Sequence, residues 1–315
     1  MTRSWRTLGN GQLVRLRDDI EFRRYNGRRP GRGLEVTSAD GTRLHVEVSG
    51  PRDGYPILLS HGMCACIDYW ANQIEELSLE YRVIAYDQRG HGHSARPRRS
   101  GFTVRHLGDD LDAVLEATLR PGERALVAGH SLGGIAIQSW AHRHPEAVRR
   151  RADTIALLNT AAGDLLYGSD LLPIRLPRSV TFGLLGSTPM PTRMPGRTAL
   201  LTSVVMSRSA SPAARALLQE QVLTTSVATR RGFAGDLRKL RSGSLDPAGL
   251  VAPTLVIGSV DDRVIPIRQS YTLAERLPDL IGVIELPGGH NGPLEQRVEV
   301  NRQLRRLAKM GTATD

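Results

Sequence analysis

A chain of 315 residues that is 40% hydrophobic and 23% charged has the apolar content for a large core in one or two domains. No run of 18 or more apolar residues occurs, and Met1-Thr2-Arg3-Ser4-Trp5-Arg6 lacks the apolar stretch of a secretory leader, so neither a spanning helix nor export is expected. The net charge of +10 does not read as nucleic-acid binding: nine arginines and three acids in residues 1–32 carry +6 of it, and the remainder shows no aromatic-rich basic strand or recognition helix.

Residues 1–33 read as a basic, solvated N-terminal extension, ending in Arg28-Arg29-Pro30-Gly31-Arg32. The alternative for this arm is contact with a membrane surface or an acidic partner. Leu34 to Ala39 and Thr42 to Ser49 flank Asp40-Gly41, a hairpin signal. Ile57-Leu58-Leu59-Ser60 is a strand leading into His61-Gly62-Met63. Cys64 and Cys66 follow and are the only cysteines. They lie too close for an ordinary structural disulfide, and a C-x-C pair with no second ligand pair is a poor metal site, so a reducing, cytoplasmic location with no metal or cofactor is expected.

Residues 67–79 suggest a helix, with Trp70, Ile74 and Leu77 at helical spacing. Val83-Ile84-Ala85-Tyr86 is the next strand, followed by Asp87-Gln88-Arg89-Gly90-His91-Gly92-His93-Ser94. Residues 104–119 form an amphipathic helix with Leu107, Leu111, Val114, Leu115 and Leu119 on one side. Arg124 to Ala128 reads as a buried strand, Gly129-His130-Ser131-Leu132-Gly133-Gly134 as a turn, and Ile135 to Ala141 as a helix. Thr154 to Thr160 is a further strand. From Ala162 to Gly235 the alternation stops and prolines recur, as in Leu171-Leu172-Pro173, Met190-Pro191 and Met194-Pro195. This stretch reads as a helical lid, with an apolar underside from Leu165, Leu166, Phe182, Leu184, Leu185, Leu200, Leu201, Val204 and Val205, which favours an apolar acyl or ester substrate. The strand Pro253 to Gly258 then leads into Ser259-Val260-Asp261-Asp262-Arg263, and Ile281 to Leu286 leads into Pro287-Gly288-Gly289-His290.

Strand, glycine-flanked serine, helix is the context of a nucleophile elbow, where the turn is too sharp for side chains at the flanking positions. A serine, an acid and a histidine follow in that order, each at the C-terminal end of an expected strand, where open α/β sheets place their sites. A serine hydroxyl needs an adjacent base to act as a nucleophile. His290 would take the Ser131 proton, and an aspartate would orient the imidazole. Two N–H donors, of Leu132 after the nucleophile and of Met63, would stabilise the oxyanion.

With these blocks the chain resembles the α/β-hydrolase-fold serine hydrolases, and among them it is most similar to the cofactor-free (non-haem) haloperoxidase-like esterases, including actinobacterial examples. His61-Gly62-Met63, Asp87 to Ser94, Gly129 to Gly134, Asp262-Arg263-Val264-Ile265-Pro266 and Gly289-His290 carry the resemblance, over roughly residues 34–308. It implies an α/β fold: a mostly parallel eight-stranded sheet flanked by helices, built from residues 34–161 and 236–310, with a cap over 162–235. Counting forward from Gly258 favours Asp261 as the triad acid. Counting back from Arg263-Val264-Ile265-Pro266 favours Asp262, and this longer match is preferred, leaving Asp261 in a solvent-facing turn. His61, His91, His93 and His130 are expected to make structural hydrogen bonds, and His91-Gly92-His93 shows no nearby carboxylate or cysteine pattern that would complete a metal site. Asp87-Gln88-Arg89-Gly90 is expected to shape the sheet edge.

The implied activity is a carboxylic-ester hydrolase working through an acyl-Ser131 intermediate on a small-molecule substrate. The alternatives on the same triad are a perhydrolase with haloperoxidase activity, a thioesterase and a C–C bond hydrolase; a ligand receptor without catalysis is the alternative of another class.

Overall fold

The computed structural model describes residues 15–27, 31–163, 202, 204–241 and 244–312. Helix α1 (Ile20–Asn26) precedes eight strands: β1 (Gly31–Thr37), β2 (Arg43–Ser49), β3 (Pro56–Ser60), β4 (Arg82–Tyr86), β5 (Ala125–His130), β6 (Ala152–Leu158), β7 (Thr254–Ser259) and β8 (Leu280–Leu286). They form one sheet in the order β1-β2-β4-β3-β5-β6-β7-β8. β2 runs antiparallel to β1 and β4, and every later pairing is parallel. The hairpin turns where expected: Ser38 N–H donates to Thr42 O at 2.9 Å, and Gly41 takes φ 83°.

β3, β4, β5 and β7 are buried along their whole length, as near-continuous apolar runs must be when helices cover both faces. The helices between strands are α2 (Ala71–Leu77), α3 (Val104–Thr118), α4 (Leu132–Arg143) and α5 (Pro145–Arg151). After β6 come α6 (Pro212–Thr224) and α7 (Val227–Leu237), then α8 (Arg268–Ala274), α9 (Gly292–Glu295) and α10 (Arg297–Thr312). Alternation along the strands sorts their side chains into two cores. Ile57, Leu59, Val83, Leu126, Ala128 and Ile257 pack with Ile74 and Leu77 of α2 and Leu304 and Leu307 of α10. Leu58, Ile84, Val127, Ile155 and Val256 face the other way, against Leu111 and Val114 of α3 and Ile137 and Trp140 of α4.

Three expectations change. The helix expected over 67–79 is a 3-10 turn, Ile67–Trp70, running into α2. The N-terminal arm is not a solvated extension over its described part: Leu16, Phe22 and Tyr25 are buried in the core, and β1 already begins at Gly31. Asp19 caps α1 by accepting from Phe22 N–H at 2.9 Å, and Arg24 donates to Asn72 and pairs with Glu75. A spacing of three puts Phe22 and Tyr25 on one helical face, a signal masked by the surrounding arginines. Residues 1–14 lie outside the described residues. Of the expected lid, Leu165, Leu166, Phe182, Leu184, Leu185, Leu200 and Leu201 also lie outside them; its described part carries α6 and α7, and α7 runs on to Leu237, past the expected boundary at 235. No described helix is long and apolar enough to cross a membrane.

Candidate active site

β5 delivers Ser131 to a turn that only glycines permit. A Cβ on Gly129 would meet the Gly133 carbonyl carbon at 2.5 Å, and one on Gly133 would collide with the Ser60 carbonyl oxygen. Ser131 itself is held at φ 52°, ψ −113°, a costly conformation for a residue with a side chain. Its N–H donates to Leu158 O at 2.9 Å, and it stands at the N-cap of α4, so Leu132 is the first residue of that helix. The first N–H groups of a helix have no partner within it, which leaves the Leu132 N–H suited to an anion.

The loops after β7 and β8 bring two further groups to the serine. His290 Nε2 lies 3.0 Å from Ser131 Oγ, and His290 Nδ1 lies 2.8 Å from Asp262 Oδ2. With Nδ1–H donating to the carboxylate, Nε2 is the nitrogen left to accept the serine proton. Asp262 is 5% exposed and is itself pinned: Oδ1 accepts the N–H groups of Val264 at 2.8 Å and Ile265 at 2.9 Å. The neighbouring Asp261 is exposed, with its N–H on Gly288 O, so Asp262 is the acid that faces the histidine. His290 is also tied to the segment before α6, through its N–H to Val205 O at 3.0 Å.

Met63 and Leu132 line the same cavity as Ser131 and His290. The loop carrying Met63 is held one residue on, where Cys64 N–H donates to His91 Nε2 at 3.1 Å. Burial pushes His91 down to about 3, so its ring stays neutral and can accept. His61 accepts the Gln88 N–H at 3.0 Å, and His130 lies 2.8 Å from His290 O and stacks on Tyr69 at 4.9 Å. Burial lowers both of these histidines too. These three rings therefore hold backbone, as expected.

His93 differs. Its side chain is exposed, and its Nδ1 lies 3.7 Å from Asp87 Oδ2. The absence of a carboxylate expected beside His91-Gly92-His93 is corrected here: His45, Asp87 and His93 bring ligand atoms within 4.8 Å of one another. β2 supplies His45, 42 residues before Asp87, which spacing within the motif could not reveal. Both Asp87 oxygens already accept backbone N–H groups, from Ile67 at 2.8 Å and His93 at 2.7 Å, and none of the three residues lines the cavity. Cys64 and Cys66 are not joined in a disulfide. Loss of water pushes the Cys64 thiol up to about 12, which leaves it inert at neutral pH.

The cavity over Ser131 measures about 200 Å³. Leu218 and Val222 of α6, Leu237 of α7, Ile135 of α4 and Val264 and Ile265 give it mostly apolar described walls. Two residues of the site carried no signal in the motifs. Asn159, at the end of β6, donates to Asp262 Oδ2 at 3.0 Å. Arg230, beside Arg231 in the sequence, lines the cavity.

Comparison with known proteins agrees with this fold. The family described as the α/β hydrolase fold matches residues 55–165. A protein named as a carbamate hydrolase, RutD, of Azorhizobium caulinodans is 31% identical over 242 residues, which cover 75% of this chain and 83% of that protein. A non-heme chloroperoxidase of Streptomyces lividans is 37% identical over 147 residues, 46% of this chain and 50% of that one. The solved enol-lactonase of Burkholderia xenovorans superposes with a TM-score of 0.70 at 25% identity, over 88% of this chain and all of that chain. The chain belongs to the α/β-hydrolase fold family, and it is a hydrolase.

Proposed function

We propose that this hydrolase cleaves a carboxylic ester or a related acyl substrate through a covalent acyl-Ser131 intermediate. The observation that carries this reading is the continuous chain from Ser131 Oγ through His290 to Asp262, at 3.0 and 2.8 Å, opening on an apolar cavity.

In the acylation step Ser131 Oγ attacks the substrate carbonyl while its proton passes to His290 Nε2. Asp262 holds the imidazole in the tautomer that can accept and offsets the charge of the imidazolium. The carbonyl oxygen becomes an oxyanion within reach of the N–H groups of Leu132 and Met63; losing one such donor costs about 2.7–4 kcal/mol. Collapse expels the alcohol, which takes the proton from His290. Water, deprotonated by His290, then attacks the acyl carbon and releases the acid and free Ser131. The strained φ of Ser131 presents Oγ to the cavity instead of the helix.

The likeness to a non-heme chloroperoxidase favours one second reading, in which hydrogen peroxide replaces water in the deacylation step and a peracid leaves. Halide oxidation that requires both peroxide and a carboxylic acid would separate it from plain hydrolysis.

A fluorophosphonate probe tests the main reading. Covalent labelling of the intact protein is expected, with none in Ser131→Ala. A protein inert to the probe and to short-chain p-nitrophenyl esters would be a receptor on this fold, and the proposal would fall.

A further inference from the structure

Arg230 is 4% exposed, yet it lines the cavity that holds Ser131 and His290. Its Nε and Nη1 have no hydrogen-bond partner, and no carboxylate of a described residue pairs with it. Among the described residues the other buried arginines are answered: Arg89 by Asp110 and Asp40, and Arg82 by Glu123. No aspartate or glutamate occurs among the described residues lining this cavity. A guanidinium cannot shed its proton, so the charge remains wherever the side chain is placed. A buried charge without a partner is costly, and the walls around it are apolar. Its field reaches the Cys64 thiol, where it opposes the effect of burial.

We propose that Arg230 is an anion-recognition residue of the substrate cavity, and that the substrate carries a carboxylate which pairs with it. This rests on the reading of Ser131 as nucleophile and narrows the substrate class from apolar esters to esters bearing an acid group. One guanidinium and no second cation among the described lining residues matches a single negative charge, which favours a carboxylate over a phosphate dianion. The cavity is small beside the roughly 300–1,000 Å³ of sites for drug-sized ligands, so the acid group sits a short chain away from the scissile carbonyl. The chemistry at Ser131 is unchanged: the carboxylate is bound, not transformed. The apolar walls around Arg230 strengthen the pairing, because competing water is excluded.

Two substrate pairs test this. Mono-p-nitrophenyl glutarate and its methyl ester place the acid on the acyl side; 4-acetoxybenzoate and its methyl ester place it on the leaving-group side. In at least one pair the acid is expected to have about tenfold or more the kcat/KM of its neutral ester. That ratio falls to unity or below in Arg230→Met and survives in part in Arg230→Lys. Glutarate is expected to slow labelling of Ser131 by a neutral fluorophosphonate in the unmodified protein and not in Arg230→Met. Arg230→Met is expected to melt at or above the unmodified protein, since it removes an unpaired charge; Arg230→Gln serves if it does not fold. Labelling at Ser131 with no acid preference in either pair, or a preference unmoved by substitution of Arg230, overturns the proposal and leaves the hydrolase reading intact. If neither labelling nor hydrolysis occurs, the hydrolase reading fails, and calorimetric glutarate binding decides for Arg230: saturable binding lost in Arg230→Met supports it, and no binding overturns it.

Discussion

Asn159 Nδ2 donates to Asp262 Oδ2 at 3.0 Å and to Ser259 Oγ at the same distance, joining the ends of β6 and β7 behind the histidine. Asn159 sits at φ 45°, a left-handed conformation that asparagine tolerates and most residues do not. Its own N–H donates to Ile257 O at 2.8 Å. A positioning role for Asn159, acting on His290 through Asp262, is what this contact suits it for.

Replacing it tests that role. Asn159→Gly keeps the backbone conformation and removes only the side chain. We expect kcat on p-nitrophenyl acetate to fall about tenfold, the worth of one hydrogen bond to a charged group, with KM little changed. A variant with undiminished kcat would show that the turn at Val264 and Ile265 suffices to aim Asp262.

The adjacent acids give a second contrast. Asp262→Asn keeps the shape but loses the acceptor that fixes the His290 tautomer, and kcat should drop on the order of 10³–10⁴-fold. Asp261→Asn is exposed and touches the site through backbone alone, so it should stay within about threefold of the unmodified enzyme, as is usual for exposed sites. Steady-state kinetics on one ester decide between them, and a larger loss in Asp261→Asn would reverse the assignment.

Three neutral histidines set an acid limit on stability. Burial holds His61, His91 and His130 below their ordinary pKa, His91 at about 3. The unfolded chain takes up protons at these rings as pH falls below about 6.5, and the folded protein does not. Their contribution is therefore complete above that pH and is lost progressively as pH falls, for His91 down to about 3, at up to about 1.4 kcal/mol per pH unit for each ring. His45 and His93 are raised by their carboxylate neighbours, so their contribution is already in place in this acid range and fades only as pH rises. Urea midpoints should fall from pH 7 to 5, with a shallower fall in His91→Phe. A flat profile would mean that these rings gain protons inside the fold.

Arg89 anchors the loop after β4. Its Nε and Nη2 meet Asp110 at 2.7 and 2.5 Å, and Nη1 reaches Asp40 at 2.8 Å and Gly101 O at 3.0 Å. Both Arg89 and Asp110 have fully buried side chains. Arg89→Met leaves Asp110 buried without its partner and should destabilise the protein by about 3–5 kcal/mol, read as a drop in urea midpoint. The double variant Arg89→Met with Asp110→Leu should recover much of that loss. Failure to recover would place the cost in the loop contacts at Gly101 and Asp40.

Local pattern alone made much of this protein legible. Periodicity marked the buried strands, because a strand covered on both faces must be apolar throughout, and the glycines around Ser131 announced a turn where backbone passes close to backbone. The order of serine, acid and histidine could be read because each sits at a strand end in its own motif. The rest depended on contacts between distant segments. Whether Asp261 or Asp262 faces His290 was decided by a turn in which Val264 and Ile265 bind one carboxylate oxygen. Nothing local marks Asn159, whose partner lies 103 residues away. His45 meets Asp87 and His93 only because β2 pairs with β4. The arginine-rich start looked like a solvated arm until Phe22 and Tyr25 found a core to enter. Arg230 carries no motif of its own, and only folding buries it beside Ser131, because burial and pairing are properties of a neighbourhood and not of a residue.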